Sequence, residues 1–489
     1  MPGFFPISGN SGPAMTAIGS SVGGATGCAT RQMPSPRRNG ATACPGRAFR
    51  LLFAVVACLG LPVQAWAQTA EQALPPVIGR ESGLHSGEFV LHPAVGVQGH
   101  YDTNLFNGNV QEYGNAPVSA TSIRIRPSLS LQNDLSSNTA FNFNSSGEGR
   151  VYLSDNKNVT AQDGIGGAAN LDLTFGQKKA ISFSMFEHFN RVLRAQNWDT
   201  IASLNSNNND VGGRIEFHPG DHPERRPFVI AAIGSFGIQR FEEFTAGNAN
   251  TLRTRLTGSW RFLPKTAALV DLGWDFMNYV DSTSSTSLVK MGLSQNSKPF
   301  RAKVGMAGAL TKRVTVDVGG GWGLSMSEGP STYSGYLASL AIGLRPAEAT
   351  RVTVGYNHDF RTSFYGTYAS FHRASISLLQ RFGKIVDFKG AFGYSYVTFG
   401  PYVPTIGVNG TPLSVSAGTR HDNQLDATLS ASFDVSRLLA VDLGYALRQV
   451  ITGYKVCLND CTVVSNANRV LDVGAYQAHE IFATVTVRY

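Results

Sequence analysis

The chain has 489 residues, of which 15% are charged, with 53 glycines and a formal net charge of +8. Beyond the N-terminal region no apolar run approaches the roughly 20 residues of a spanning helix, which excludes a helical membrane protein. The mild, dispersed positive charge is no nucleic-acid signature, and hydrophobicity spread among Gly, Ser, Thr and aromatic residues fits alternating strands.

Residues 1–46 are rich in Gly, Ser, Pro and Ala without periodicity and read as a leader extension, with Met33 as an alternative start. Residues 47–67 read as a signal peptide. Arg47 and Arg50, after Arg37 and Arg38, precede the apolar run Leu51 to Leu61, and Ala65-Trp66-Ala67 offers a small-x-small cleavage site before Gln68. A lipoprotein reading of Val55-Val56-Ala57-Cys58 is disfavoured because the residues after Cys58 stay apolar. Residues 68–88, with Pro75-Pro76, read as a periplasmic tether too short for a plug or a repeat domain.

Cys28, Cys44 and Cys58 fall in the leader and signal, which leaves Cys457 and Cys461 as a pair. A disulfide between them is expected in an oxidising compartment, stiffening its loop while adding little global stability.

From 89 to 489 the chain alternates strand and connection. Over 252–262, Leu252, Thr254, Leu256, Gly258, Trp260 and Phe262 alternate with Arg253, Arg255, Thr257, Ser259 and Arg261. A period of two sends these sets to opposite faces. A charge on the lipid face near the bilayer midplane costs about 2–4 kcal/mol, so the three arginines are expected to face the lumen. Ile123, Ile125, Leu129 and Leu131 likewise alternate with Arg124, Arg126, Ser128 and Ser130. The pattern recurs over 228–238, 314–318, 352–356 and 425–433, and parity adds Arg301, Lys303 and Arg351 to the lumen side.

Short connections recur at 263–266, 310–313, 345–348, 382–384 and 434–437, and longer ones at 281–297, 400–420 and 452–469. Outer-membrane barrels keep short turns in the periplasm and long loops outside. The expected fold is therefore all-β, a transmembrane antiparallel up-and-down barrel of about 18 strands over 89–489, with 16 as the alternative.

The inward Arg124, Arg126, Arg253, Arg255, Arg261, Arg301, Lys303 and Arg351 carry two readings. A basic lining in a water-filled pore favours anions; alternatively the arginines brace the wall against Asp317, Asp426, Asp442 and similar carboxylates. His218 and His222 straddle a Pro-Gly turn, but Pro-rich turns are common and no metal is expected. No motif joins His188, His358 or His372 to a serine nucleophile, so the chain reads as a non-enzyme without a cofactor.

Two resemblances follow. In the stretch 471–489, Ile481, Ala483, Val485, Val487 and Tyr489 alternate with Thr484, Thr486 and Arg488, which resembles the C-terminal strand of bacterial outer-membrane proteins. That resemblance makes Tyr489 an assembly signal for the barrel-assembly machinery. Pro93, Val95-Gly96-Val97 and Tyr101-Asp102-Thr103-Asn104-Leu105-Phe106 resemble the first strand and loop of an outer-membrane β-barrel (porin-like) family found with exopolysaccharide-export genes. It implies a cell outer-membrane channel, surrounded by lipid and lipopolysaccharide, that passes polysaccharide or another polar anionic solute with periplasmic export proteins as partners. The other functions in view are a general or anion-preferring diffusion porin and a structural or adhesion barrel with a plugged lumen.

Overall fold

The computed structural model describes residues 83–489 apart from 109–116, 134–137, 196–203, 220–226, 243–246, 281–295, 329–331, 364–366, 384, 401–418, 454, 458–469 and 473–474. The signal and leader expected before residue 83 lie outside the described residues. A short strand β1 (Leu84–Ser86) precedes β2 (Phe89–Asp102), β3 (Ala120–Asn133), β4 (Thr139–Leu153), β5 (Gly164–Phe175), β6 (Ile181–Ala195) and β7 (Leu204–Phe217). Next come β8 (Phe228–Phe241), β9 (Ala249–Leu263), β10 (Thr266–Tyr279), β11 (Ser297–Ala309), β12 (Val314–Ser327) and β13 (Tyr333–Ala347). The chain ends with β14 (Thr350–Ser363), β15 (Thr367–Phe382), β16 (Val386–Phe399), β17 (His421–Asp434), β18 (Leu439–Thr452), the short β19 (Lys455–Cys457) and β20 (Val470–Asp472), and β21 (Tyr476–Arg488).

Strands β2 to β18 each pair antiparallel with the next, β18 pairs with β21, and β21 returns to β2, which closes a barrel of 18 strands. Closure removes the unpaired edge that an open sheet would present. Along the seam Ala94 faces Arg488 and Asp102 faces Glu480, so the first and last strands meet over most of their length.

Alternation in exposure separates the two faces. Val95 and Val97 are 48% and 50% exposed, whereas Gly96 between them and Gln98 and His100 beyond are buried. Ile123, Ile125, Leu252, Leu256, Val304, Ile376, Leu443 and Val485 continue the exposed apolar belt around the wall. A belt that size is unfavourable in water and fits the hydrocarbon of a bilayer. The opposite face, where side chains converge, holds buried Arg, Asp, Glu, Ser and Gln.

Connections sort by end. Residues 264–265, 310–313, 348–349 and 435–438 turn tightly at one end, while 103–119, 280–296, 400–420 and 453–475 join strands at the other. The up-and-down strand order expected from alternation is observed, and the tight turns overlap those expected, the one expected over 345–348 falling at 348–349.

Two boundaries differ. The tether expected over 68–88 ends in structure: Leu84 pairs with Leu91 and Ser86 with Phe89 around Gly87, whose φ of 61° suits the tight turn. The last strand begins at Tyr476, not 471, because Val470–Asp472 pairs with Lys455–Cys457 in a separate two-stranded ribbon.

The stretch Tyr101 to Phe106 is a latch on the seam. Asp102 Oδ1 accepts from Asn104 N at 2.8 Å, and Asn104 Nδ2 donates to the carbonyls of Gly108 and Gln477, both at 2.9 Å. Gly108 N donates back to Asn104 Oδ1 at 2.8 Å, and Thr103 N donates to His479 O at 3.0 Å. Leu105 packs beneath with Ala120, Tyr152 and Val159, the last in the short helix α1 (Lys157–Thr160). The motif thus ties the turn after β2 to β21.

Candidate functional site

Each sequence-expected basic residue lies on the inner face, and most meet a carboxylate there. On β9, Arg253 Nη1 donates to Asp210 Oδ1 of β7 at 2.7 Å, and Arg255 grips Asp271 of β10 with Nε at 2.7 Å and Nη2 beside it. Arg126 Nη2 lies 2.7 Å from Glu148 Oε2, and Arg150 shares that carboxylate at 2.7 Å. On β11, Arg301 Nε and Lys303 Nζ converge on Asp359 of β14 at 3.1 and 2.6 Å, with Asp275 3.8 Å from Arg301. Arg124, 2% exposed, lies 3.0 Å from His100 Nδ1; His100 Nε2 in turn lies 3.1 Å from Glu480, which also pairs with Arg448.

The bracing interpretation therefore finds its geometry, through carboxylates other than the three named from sequence. Asp426 pairs with Arg373 at 2.8 Å, not with an arginine of the expected set. Asp317 and Asp442 make no ion pair with the described residues. The carboxylates that matter, Glu148, Asp210, Asp271, Asp359 and Glu480, carry the inward parity of their own strands, which is the signal that would have found them.

Glycines on intervening strands make the long pairings fit. Arg253 reaches from β9 to β7 across Gly237 of β8, where a Cβ would sit 2.6 Å from Arg253 Nη1. Arg373 of β15 reaches Asp426 of β17 across Gly393 of β16, where a Cβ would sit 2.7 Å from Asp426 Oδ2. On β12, Gly323 leaves room for Phe360, which stacks on Tyr333 with ring centroids 4.3 Å apart. The β13–β14 ladder stops at Ala338 opposite His358, and beyond it Asp359 and Phe360 both serve the inner cluster: Arg301 Nη2 donates to Phe360 O at 2.6 Å and its guanidinium lies 4.3 Å from the ring.

At the tight-turn end Arg381 pairs with Asp387 at 2.8 Å and Arg488 with Asp434 at 2.7 Å, but some other cations there make no ion pair among the described residues. Arg351 on β14 and Lys389 on β16 are exposed at inward positions, and neither meets a carboxylate among the described residues. Arg261 also lies at this end, half-buried, with its backbone N–H on Pro227 O at 2.7 Å. The inner wall is thus ion-paired through its middle, while at this end Arg351 and Lys389 share the mouth with Asp317 and Asp442, and Lys312, Arg313, Arg345 and Arg437 in and beside the turns leave the balance positive.

The remaining expected residues are placed as follows. Tyr489 is 49% exposed on the apolar outer face, and its N–H donates to Pro93 O at 3.0 Å, next to the first strand. The backbone of Cys457 belongs to β19, but Cys461 and any bridge between them lie outside the described residues, as does His222. His218 is buried and lies 3.1 Å from Ser182 Oγ. His358 and His372 stack on each other at 4.0 Å, away from His188, which lies 3.7 Å from Asp172.

No protein-family model matches the chain, and no curated protein sequence does. Among solved structures the chain is similar to OccAB3 of Acinetobacter baumannii, at 10% identity and a TM-score of 0.43 over 82% of this chain and 99% of that one. It is similar to the outer membrane protein OpdK of Pseudomonas aeruginosa at 10% identity and 0.42, over 83% and 100%. The FrpB iron transporter of Neisseria meningitidis gives 9% and 0.44, over 83% and 82%. Nothing about solute follows from likeness of this order.

Proposed function

We propose that the protein is an outer-membrane channel for polar anionic solutes, with its tight-turn end in the periplasm. The observation that carries this reading is the positive mouth at that end, where Arg351 and Lys389 lack the ion pairs that neutralise the arginines further in. Low-dielectric walls focus the field of such charges and raise the local concentration of anions, whereas paired charges deeper in the lumen present little net field. An anion leaving the cell meets the positive mouth first, which favours export of an acidic polysaccharide, with periplasmic export proteins delivering it, over uptake. The general anion-preferring porin is the simpler form of the same reading.

Planar-bilayer reversal potentials in a salt gradient test it. The wild-type channel is expected to prefer anions, and Arg351→Gln with Lys389→Gln to reduce that preference; cation preference, or no conductance at all, would overturn the reading. Deleting the gene and measuring surface polysaccharide decides the finer claim, since an unaltered surface coat leaves only the diffusion porin.

A further inference from the structure

The outer wall breaks its own rule on β6. Glu187 takes an outward position between Met185 and Phe189, which are 52% and 39% exposed. Its cross-strand neighbours, Leu171 on β5 and Val211 on β7, are exposed as well. The carboxylate thus stands in the middle of the apolar belt, where hydrocarbon cannot solvate it. Its described hydrogen bond, from Asn209 Nδ2, is long at 3.4 Å and leaves most of its acceptor capacity open. Further along, Arg191 is also outward, in an ion pair with Glu242 at 2.8 Å.

The wall beside this strip carries a run of small residues. On β4 the outward positions include Ser145, Gly147 and Gly149, and on β5 Gly167 and Ala169, with Gly147 opposite Gly167 and Ala169 opposite Phe189. Elsewhere the belt is mostly Leu, Ile, Val, Phe and Trp, with outward small residues such as Gly99, Gly234, Gly258 and Gly320 among them. Small residues let two backbones approach closely, and a polar group in a membrane favours a protein neighbour over lipid.

We propose that the β4–β7 wall is covered by a second copy of this chain. Copies inserted in one orientation are related by an axis along the membrane normal, so residues of equal depth meet. At the depth of Glu187 the strip offers an acceptor, its carboxylate, and a donor, the Asn209 amide, on neighbouring strands, which makes it complementary to itself. The smooth β4–β5 wall brings the copies close enough to exclude lipid from that pair.

Light scattering of the detergent-solubilised full chain, with the protein mass separated from detergent, tests this. The wild type is expected at two or more copies per particle, and Glu187→Leu as single, heat-modifiable barrels. Gly149→Trp provides a second route: a Cβ at Gly149 meets nothing within 4 Å, so the single barrel tolerates the substitution while an approaching copy does not. Single copies for the wild type, or wild-type mass for both variants, would overturn the proposal, and Gly149→Trp alone decides it should Glu187→Leu fail to assemble.

Discussion

Replacing Asp359 with Asn tests how the inner wall is held. The side chain is 2% exposed and receives Arg301 Nε at 3.1 Å, Lys303 Nζ at 2.6 Å and Phe360 N at 2.8 Å. At an effective dielectric near 20, unit charges ~3 Å apart attract by about 5–6 kcal/mol. Repulsion between the two cations, and the hydration a buried carboxylate forgoes, offset most of that. Arg301 and Lys303 keep 22% and 27% of their exposure, so lumen water solvates what the substitution releases, and Asp275 at 3.8 Å retains part of Arg301. The net loss is expected at about 2–3 kcal/mol, below the 3–5 of a fully buried pair. Because Asn keeps the shape and the acceptor for Phe360 N, the loss reports charge and not a cavity. Urea titration of barrels folded into lipid vesicles measures it, and reversal potentials should shift towards anions as two cations lose their counter-ion. A stability within about 0.5 kcal/mol of wild type, together with unchanged selectivity, would show that the cluster neither braces the wall nor borders the conducting path.

Asn104→Ala removes the partners of Gly108 N, Gly108 O and Gln477 O and is expected to cost about 1–3 kcal/mol, concentrated at the seam. Hydrogen exchange should accelerate at the amides of Leu105, Gly108 and His479, and unchanged protection there would remove the latch role. Deleting Tyr489 removes an interfacial aromatic and the hydrogen bond to Pro93 O and is expected to lower the yield of heat-modifiable barrel in the outer membrane before it alters conductance. Wild-type yield from that deletion would contradict an assembly role.

The inward arginines were legible in the sequence because the physics that places them is local. A strand has a period of two, and lipid penalises a charge, so Arg253 and Arg255 could be assigned a face from eleven residues of context. Their partners were not legible, because a barrel's concave face brings together strands that are distant in sequence. Arg253 bonds Asp210 two strands away, and Arg301 bonds Asp359 three strands away. Which carboxylate lies in reach depends on the stagger of several ladders, and no single strand encodes that.

The glycines carry the missing half of the information. Read along one strand, Gly237, Gly323 and Gly393 weaken β-propensity and look like spacers between the residues that alternate. Read across the closed wall, Gly237 and Gly393 each occupy the strand that an arginine must cross, and the space of the absent Cβ is filled by the guanidinium or by the carboxylate it reaches. At these two positions an inward glycine beside an inward arginine accompanies a pairing that skips a strand, whereas Arg255, beside Gly273, bonds Asp271 on the adjacent strand. Arg351 and Lys389, by contrast, make no ion pair across the described inner wall, so their charge is left to the solvent of the lumen.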